Sequence, residues 1–264
     1  MPDFETLEYS LNDHVARVAL NRPEQRNAVN ARMRDELLQV LDTAQMNPEI
    51  RAVVLTGNGK GFCTGADLSG PRREGPSGPG VTRLVMKGSS QRLIRALWEL
   101  EKPVVAAVNG VAAGLGAHLA FASDFVIAAE GARFIEIFVR RGIAVDAGGA
   151  FLLPRLVGLQ KAKQLVLLGD ALSAADVLAS GLATQVVAAD RLATEATALA
   201  TRLAAGPTLA IGLSKRLLNR SLESSIDTAF EEEALAQTLV TQSEDTREGM
   251  MAFAQKREPQ FKGR

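Results

Sequence analysis

At 264 residues, with 47% hydrophobic and 23% charged side chains, the chain has apolar material for one large core or two small ones, and a disordered chain is excluded. Lys+Arg and Asp+Glu each number 30, so there is no excess positive charge to track a phosphate backbone, and no nucleic-acid partner is expected. The one cysteine, Cys63, excludes an intrachain disulfide and a thiolate metal cluster; with no secretory signal over Met1–Ser10, a cytoplasmic protein is expected.

His14–Asn21 alternates apolar and polar residues as a half-buried strand does, and Asn21-Arg-Pro-Glu breaks it. Asn30 can cap a helix whose apolar positions Met33, Leu37, Val40, Leu41 and Ala44 recur every three or four residues. Arg51–Thr56 reads as a β-branched strand ending at Gly57. The next fourteen residues, 57–70, hold five glycines and are expected to form neither regular element. Ser69–Gly80, with nine of twelve residues Gly, Pro or Ser, reads as a mobile surface loop placed as an active-site lid. A helix over Gln91–Leu100 leads to a strand at Pro103–Val108 and a small-residue helix from about Gly114. Pro103–Ser123 lacks Asp, Glu, Lys and Arg, but its glycines, Asn109 and His118 argue against a membrane span.

Phe125–Ala128 is a further short strand, and 147–156 and 160–168 are expected to be helical. Ser173 caps a helix over Ala174–Ser180 with Gly181 as its stop, and Thr184–Val187 returns as a strand. From Arg191 to Lys256 the pattern is helical, interrupted by Gly206-Pro207. Strands alternating with helices, followed by helices alone, indicate an α/β fold with a helical C-terminal part.

Familiar catalytic templates are missing. There is no Gly-x-Ser-x-Gly elbow, no complete dinucleotide fingerprint and no phosphate-binding Gly-x-x-x-x-Gly-Lys-Ser/Thr; His14 and His118 cannot form a His-x-x-x-His metal pair. Two glycine-rich junctions remain, Thr64-Gly-Ala-Asp67 and Ala113-Gly-Leu-Gly116. Each follows a strand, where unpaired backbone N–H groups could converge on one oxygen as an oxyanion hole, or where the glycines merely permit tight turns.

The segments NRPEQRNAVN (21–30), IRAVVLTGNGKGFCTGADL (50–68), KPVVAAVNGVAAGLGAHLAFASDFVIA (102–128), LPRLVG (153–158) and AFAQKREPQFKGR (252–264) resemble the enoyl-CoA hydratase/isomerase, or crotonase, family in order and spacing. The resemblance spans nearly the whole chain. It implies a ClpP/crotonase-like spiral of ββα units over 1–190 carrying an acyl-CoA site, and a helical region over 191–264 that closes the site and forms trimers or dimers of trimers. The implied ligand is an acyl-CoA thioester; no separate cofactor or metal is implied, since coenzyme A is part of the substrate. Carried over residue by residue, the oxyanion donors are the N–H groups of Ala66 and of Leu115, where the family often has glycine. Arg26, Ala28, Asp67 and Leu68 fall where relatives contact coenzyme A, and Phe253 and Lys256 where a neighbouring subunit reaches the adenine end. From the residues alone, Phe253 could equally be a packing residue and Lys256 a solvated charge.

The family's hydratases use two glutamates. Here His118 stands at the first position and Phe138 at the second, and Phe138 cannot transfer a proton. Glu136 is expected to face elsewhere if its segment is extended, and Glu136, Arg140 and Arg141 are expected in surface or subunit contacts. Asp146 stands where family isomerases carry an aspartate. The resemblance makes it the proton shuttle of a double-bond shift; its place before a helix also suits an N-cap. Two alternatives remain open: a hydratase using His118 with Asp146, and a catalytically silent acyl-CoA binder. Cys63 is expected to pack as a small apolar residue.

Overall fold

The computed structural model describes residues 3–69 and 78–264. In chain order the strands are β1 (Leu7–Asn12), β2 (Val15–Leu20), β3 (Ala52–Gly57), β4 (Gly61–Cys63), β5 (Val104–Val108), β6 (Val111–Ala113), β7 (Phe125–Ala129), β8 (Arg133–Ile135), β9 (Ala171–Ser173) and β10 (Gln185–Val187). The first helices are α1 (Ala31–Met46), α2 (Pro79–Gly88), α3 (Ser90–Glu99), α4 (Leu115–Phe121), α5 (Gly149–Leu168) and α6 (Ala174–Ala179). They are followed by α7 (Leu192–Ala204), α8 (Thr208–Arg220), α9 (Ile226–Val240) and α10 (Glu244–Gln255).

One sheet has the order β1-β2-β3-β5-β7-β10 and the other β4-β6-β8-β9. β1 pairs antiparallel with β2, and β2, β3, β5, β7 and β10 are parallel. The chain therefore lays one strand in each sheet per turn, as β3β4, β5β6 and β7β8, with helices between the turns: a spiral of ββα units. Parallel strands need cover on both faces, and the alternation supplies it. Val53, Leu55, Val104 and Ala106 face the core that holds α1 and α3, while Ala52, Val54, Val105 and Ala107 face α7. The α7 stripe Leu192, Ala196, Ala200 and Ala204 recurs every four residues, and its small side chains let the helix sit close to the sheet.

Asn30 caps α1 by accepting from the Met33 N–H at 2.8 Å, and Ser173 caps α6 in a capping box with Asp176. The glycine-rich stretch after β3, expected to be wholly irregular, contains β4: three residues pair with β6 and are too few to show a period. The two helices expected from 147 to 168 are both present within α5, separated by a kink at Gly158, whose φ of 73° and ψ of 158° are not helical. The expected lid at Ser69–Gly80 falls largely outside the described residues; its last residues open α2. No helix among the described residues is long and apolar enough to cross a membrane.

Arg51, at the entry to β3, is buried. It donates from Nε to Thr208 Oγ1 at 2.9 Å, and from its terminal nitrogens to the carbonyls of Gly206 at 2.6 Å and Phe261 at 3.3 Å. Asp245 of α10, also buried, accepts from the N–H groups of Lys262 and Gly263 at 2.6 and 2.8 Å.

Candidate active site

The loop after β2 is held by a buried asparagine. Arg26 and Asn27 both take left-handed backbone, with φ of 51° and 56°, a conformation that asparagine tolerates better than most residues. The Asn27 side chain accepts from the Arg22 N–H at 2.9 Å and donates to the carbonyls of Asn58 and Gly61, each at 2.9 Å. This ties the loop to the turn before β4. Val29 then bridges Ala66: the Val29 N–H donates to Gly65 O at 2.8 Å, and the Asp67 N–H to Val29 O at 3.0 Å. In a parallel bridge of this kind the N–H of Ala66 itself points away from Val29.

The second junction lies against the first. A Cβ on Gly65, whose φ is 96°, would stand 2.8 Å from Ala113 O and 3.6 Å from Leu115 N. One on Gly116 would run into the Cys63 carbonyl oxygen and come within 2.8 Å of the Cys63 Cβ. The residue before Ala66 thus meets the start of α4, and only glycines allow the approach. Neither the Ala66 nor the Leu115 N–H has an acceptor among the described residues. Cys63 is fully buried and its thiol is pushed up to about 12 by that burial, so it packs as an apolar residue and offers no nucleophile at neutral pH.

Ala28, Ala66, Asp67 and Leu68 share a cavity of about 310 Å³ with Gln25, Thr64, Ser69 and Arg141. The Asp67 carboxyl is held down to about 2 by hydrogen bonds from Ser69 and then from Arg22, whose guanidinium lies 2.8 Å away. Arg26 is exposed nearby without lining this cavity. Phe253, 86% exposed, and Lys256 lie on and just after α10 and are not brought to it. Arg141 is exposed on the wall of this cavity, and Arg140 makes an exposed pair with Asp170 at 3.0 Å.

His118 lies one turn into α4 and is fully buried. Its Nε2 is 3.0 Å from Oε2 of Glu136, which is only 5% exposed. The expectation that Glu136 makes a surface or subunit contact is therefore overturned. β8 stops at Ile135 and the chain turns; even an extended segment would have kept Glu136 on the face of Phe138, two positions on, so the expectation that extension sends it elsewhere was mistaken. The same turn lays Phe138 on the imidazole, with centroids 5.5 Å apart and planes 15° from parallel.

Asp146 does not cap α5. The N-cap is Gly148, with no side-chain cap bond, and no hydrogen bond reaches the Asp146 carboxylate among the described residues. The carboxylate stands half-buried on the wall of a cleft of about 1060 Å³ with Ile94, Trp98 and Phe151. Burial pushes its pKa above the ordinary aspartate value, His118 pulls it back, and Glu136 adds to the rise. The next residue, Ala147, is buried with φ at 45°, a strained conformation for a residue with a Cβ.

The enoyl-CoA hydratase/isomerase family profile matches residues 10–264. The chain is 42% identical to the 1,2-epoxyphenylacetyl-CoA isomerase of Escherichia coli K12, over 95% of each chain. It is 35% identical to the 2,3-dehydroadipyl-CoA hydratase of the same organism, over 97% of this chain and 98% of that one. The crystal structure of an enoyl-CoA hydratase/isomerase from Cupriavidus metallidurans CH34 superposes with a TM-score of 0.93 at 33% identity, covering 100% of this chain and 98% of that chain.

Proposed function

The chain belongs to the enoyl-CoA hydratase/isomerase family and has its crotonase fold, and from that premise we propose that it shifts a double bond in an enoyl-CoA thioester, with Asp146 as the proton shuttle. The observation that carries the reading is the uncapped, half-buried Asp146 carboxylate with its raised pKa, in a site where Phe138 replaces the second glutamate of a hydratase. In this reading the N–H groups of Ala66 and Leu115 receive the thioester oxygen. Asp146 takes a proton from C2 of a 3-enoyl thioester, leaving a dienolate whose charge rests on that oxygen. While on the part-exposed Asp146 carboxyl the proton exchanges with solvent, and a proton is then delivered at C4, so one C–H bond breaks, one forms and the double bond becomes conjugated. Arg26, Ala28, Asp67 and Leu68 hold coenzyme A, and Arg141 adds a cation on the same wall. The relative named as an epoxide isomerase supports isomerisation over hydration.

Self-association belongs to the same proposal. Phe253 and Lys256, which do not line the Ala66 cavity in their own chain, reach the adenine end of a ligand in a neighbouring subunit of a trimer. A second reading, hydration through His118 and Asp146, draws on the imidazole at the first glutamate's position and on the relative named as a hydratase.

The test is incubation of a 3-enoyl-CoA in D2O with products resolved by mass spectrometry. A conjugated 2-enoyl product carrying deuterium, with a rate at least about 100-fold lower in Asp146→Asn, is expected. An unshifted double bond without exchange would sink the isomerase reading for that substrate, and a hydrated product lost in His118→Gln would favour hydration.

A further inference from the structure

Glu136 is a third ionisable group in the enclosure of His118 and Asp146. Its Oε2 meets His118 Nε2 at 3.0 Å, while Glu136 Oε1 and His118 Nδ1 are buried without a partner among the described residues. A carboxylate buried with one oxygen unmatched is a poor way to stabilise a core, because an apolar side chain of similar size would avoid the desolvation. Such groups call for a functional explanation.

Three contacts fix the imidazole. Glu136 takes Nε2, Phe138 covers one face, and Gly149 closes the Nε2–Cε1 edge, where an added Cβ would come within 2.5 Å of both atoms. Gly149 donates its N–H to the Asp146 carbonyl at 2.9 Å, so the turn that carries Asp146 is seated on the ring. His118, from α4, and Glu136, from the turn after β8, are also the titratable side chains that act on the Asp146 carboxyl.

We propose that Glu136 is a positioning residue for the proton transfer: it holds His118 in one tautomer and one orientation, and the ring so fixed supports the turn and the charge of Asp146. The proposal rests on the reading of Asp146 as the base. An ionised Glu136 can only accept a hydrogen bond, so it pins the ring proton on Nε2. The amide of a Glu136→Gln variant keeps the shape but can present either its oxygen or its NH2 to Nε2, and the pinning is lost.

The chain has two histidines, His14 and His118, so nitrogen-15 NMR of labelled histidine resolves both, with His14→Gln making the assignment. His118 is expected to show a proton bound at Nε2, and Glu136→Gln to lose that signal or replace it with mixed tautomers. In the D2O assay, Glu136→Gln is expected to lower kcat about 10-fold with KM changed less than about threefold. In a His118→Gln background it is expected to have no further effect, because Glu136 acts only through the ring. An unchanged His118 spectrum in Glu136→Gln, wild-type turnover, or an equal loss in both backgrounds would overturn the proposal. The NMR measurement needs neither substrate nor a His118 variant, so it stands even if His118→Gln fails to fold. Exchange that survives in Asp146→Asn would instead overturn the base itself, whatever the spectra show.

Discussion

Asp146 carries its role against its own stability. A carboxyl whose folded pKa lies above its unfolded value favours the folded state below the unfolded pKa, and this advantage is lost as pH rises through the folded pKa. At pH 7 the ionised group is therefore held at a cost. Asp146→Asn removes that cost, and its Tm at pH 7 is expected to exceed that of the wild type, at roughly 2–4 °C per kcal/mol recovered. Because the group is half-exposed, the gain is expected to be below about 1 kcal/mol. Calorimetry at pH 7 and pH 4 checks the sign: the advantage of the variant should shrink at the lower pH, where Asp146 in the wild type takes up its proton. A variant no more stable than wild type at pH 7 would mean that burial does not govern this carboxyl. The expected pairing of lost activity with gained stability is common at sites built for chemistry.

Among the elements, α4 is the most constrained, because its first turn must serve both Ala66 and His118. Gly116 lets that turn approach β4 more closely than any side chain allows, and the obstacle is the Cys63 backbone, which cannot swing aside. Gly116→Ala is expected to cost about 2–3 kcal/mol, read as a lower urea midpoint with an unchanged slope. Several long elements were legible in the sequence for plain reasons, whereas β1, as long as β2, was not. β2 alternates, β3 and β5 are β-branched or small, and α1 repeats at helical spacing behind an asparagine cap. The three-residue strands of the second sheet, β4, β6, β8 and β9, were not, because they show no period and form only by pairing with one another, whereas β10, equally short, was legible behind the Gly181 stop. Glu136 was missed for a related reason: whether it faces His118 depends on where β8 ends, and nothing local marks Ile135 as the last strand residue. Asn27 carried no signal either, since its importance lies in bonds to Asn58 and Gly61, more than thirty positions away.

At the scale of the whole molecule, the helical end of the chain is unusual in what it leaves uncovered. Leu218, Leu222, Ile226, Phe230, Leu235 and Leu239, on or between α8 and α9, are exposed, as are Met250 and Phe253 on α10. Large apolar exposure of this kind on a folded protein marks surfaces that bind. In line with the proposed assembly, light scattering is expected to give three or six times the 28.1 kDa chain mass, and Phe230→Glu is expected to lower it. A monomeric wild type would remove the route by which Phe253 and Lys256 reach a ligand.

The Arg51 clasp has a consequence for how the protein is made. Arg51 sits buried beside the central sheet, yet its hydrogen-bond partners lie 155 to 210 positions further along the chain. On a ribosome, the strands and the loops that carry Ala66 and Leu115 emerge long before Thr208 and Phe261 exist as partners. Until then the guanidinium must stay hydrated, and the start of β3 beside it stays open to water. The nascent spiral therefore waits, incomplete, for its own last residues. A ribosome stalled before Gly206 would hold a chain with the loops of Ala66 and Leu115 already synthesised and the partners of Arg51 still missing.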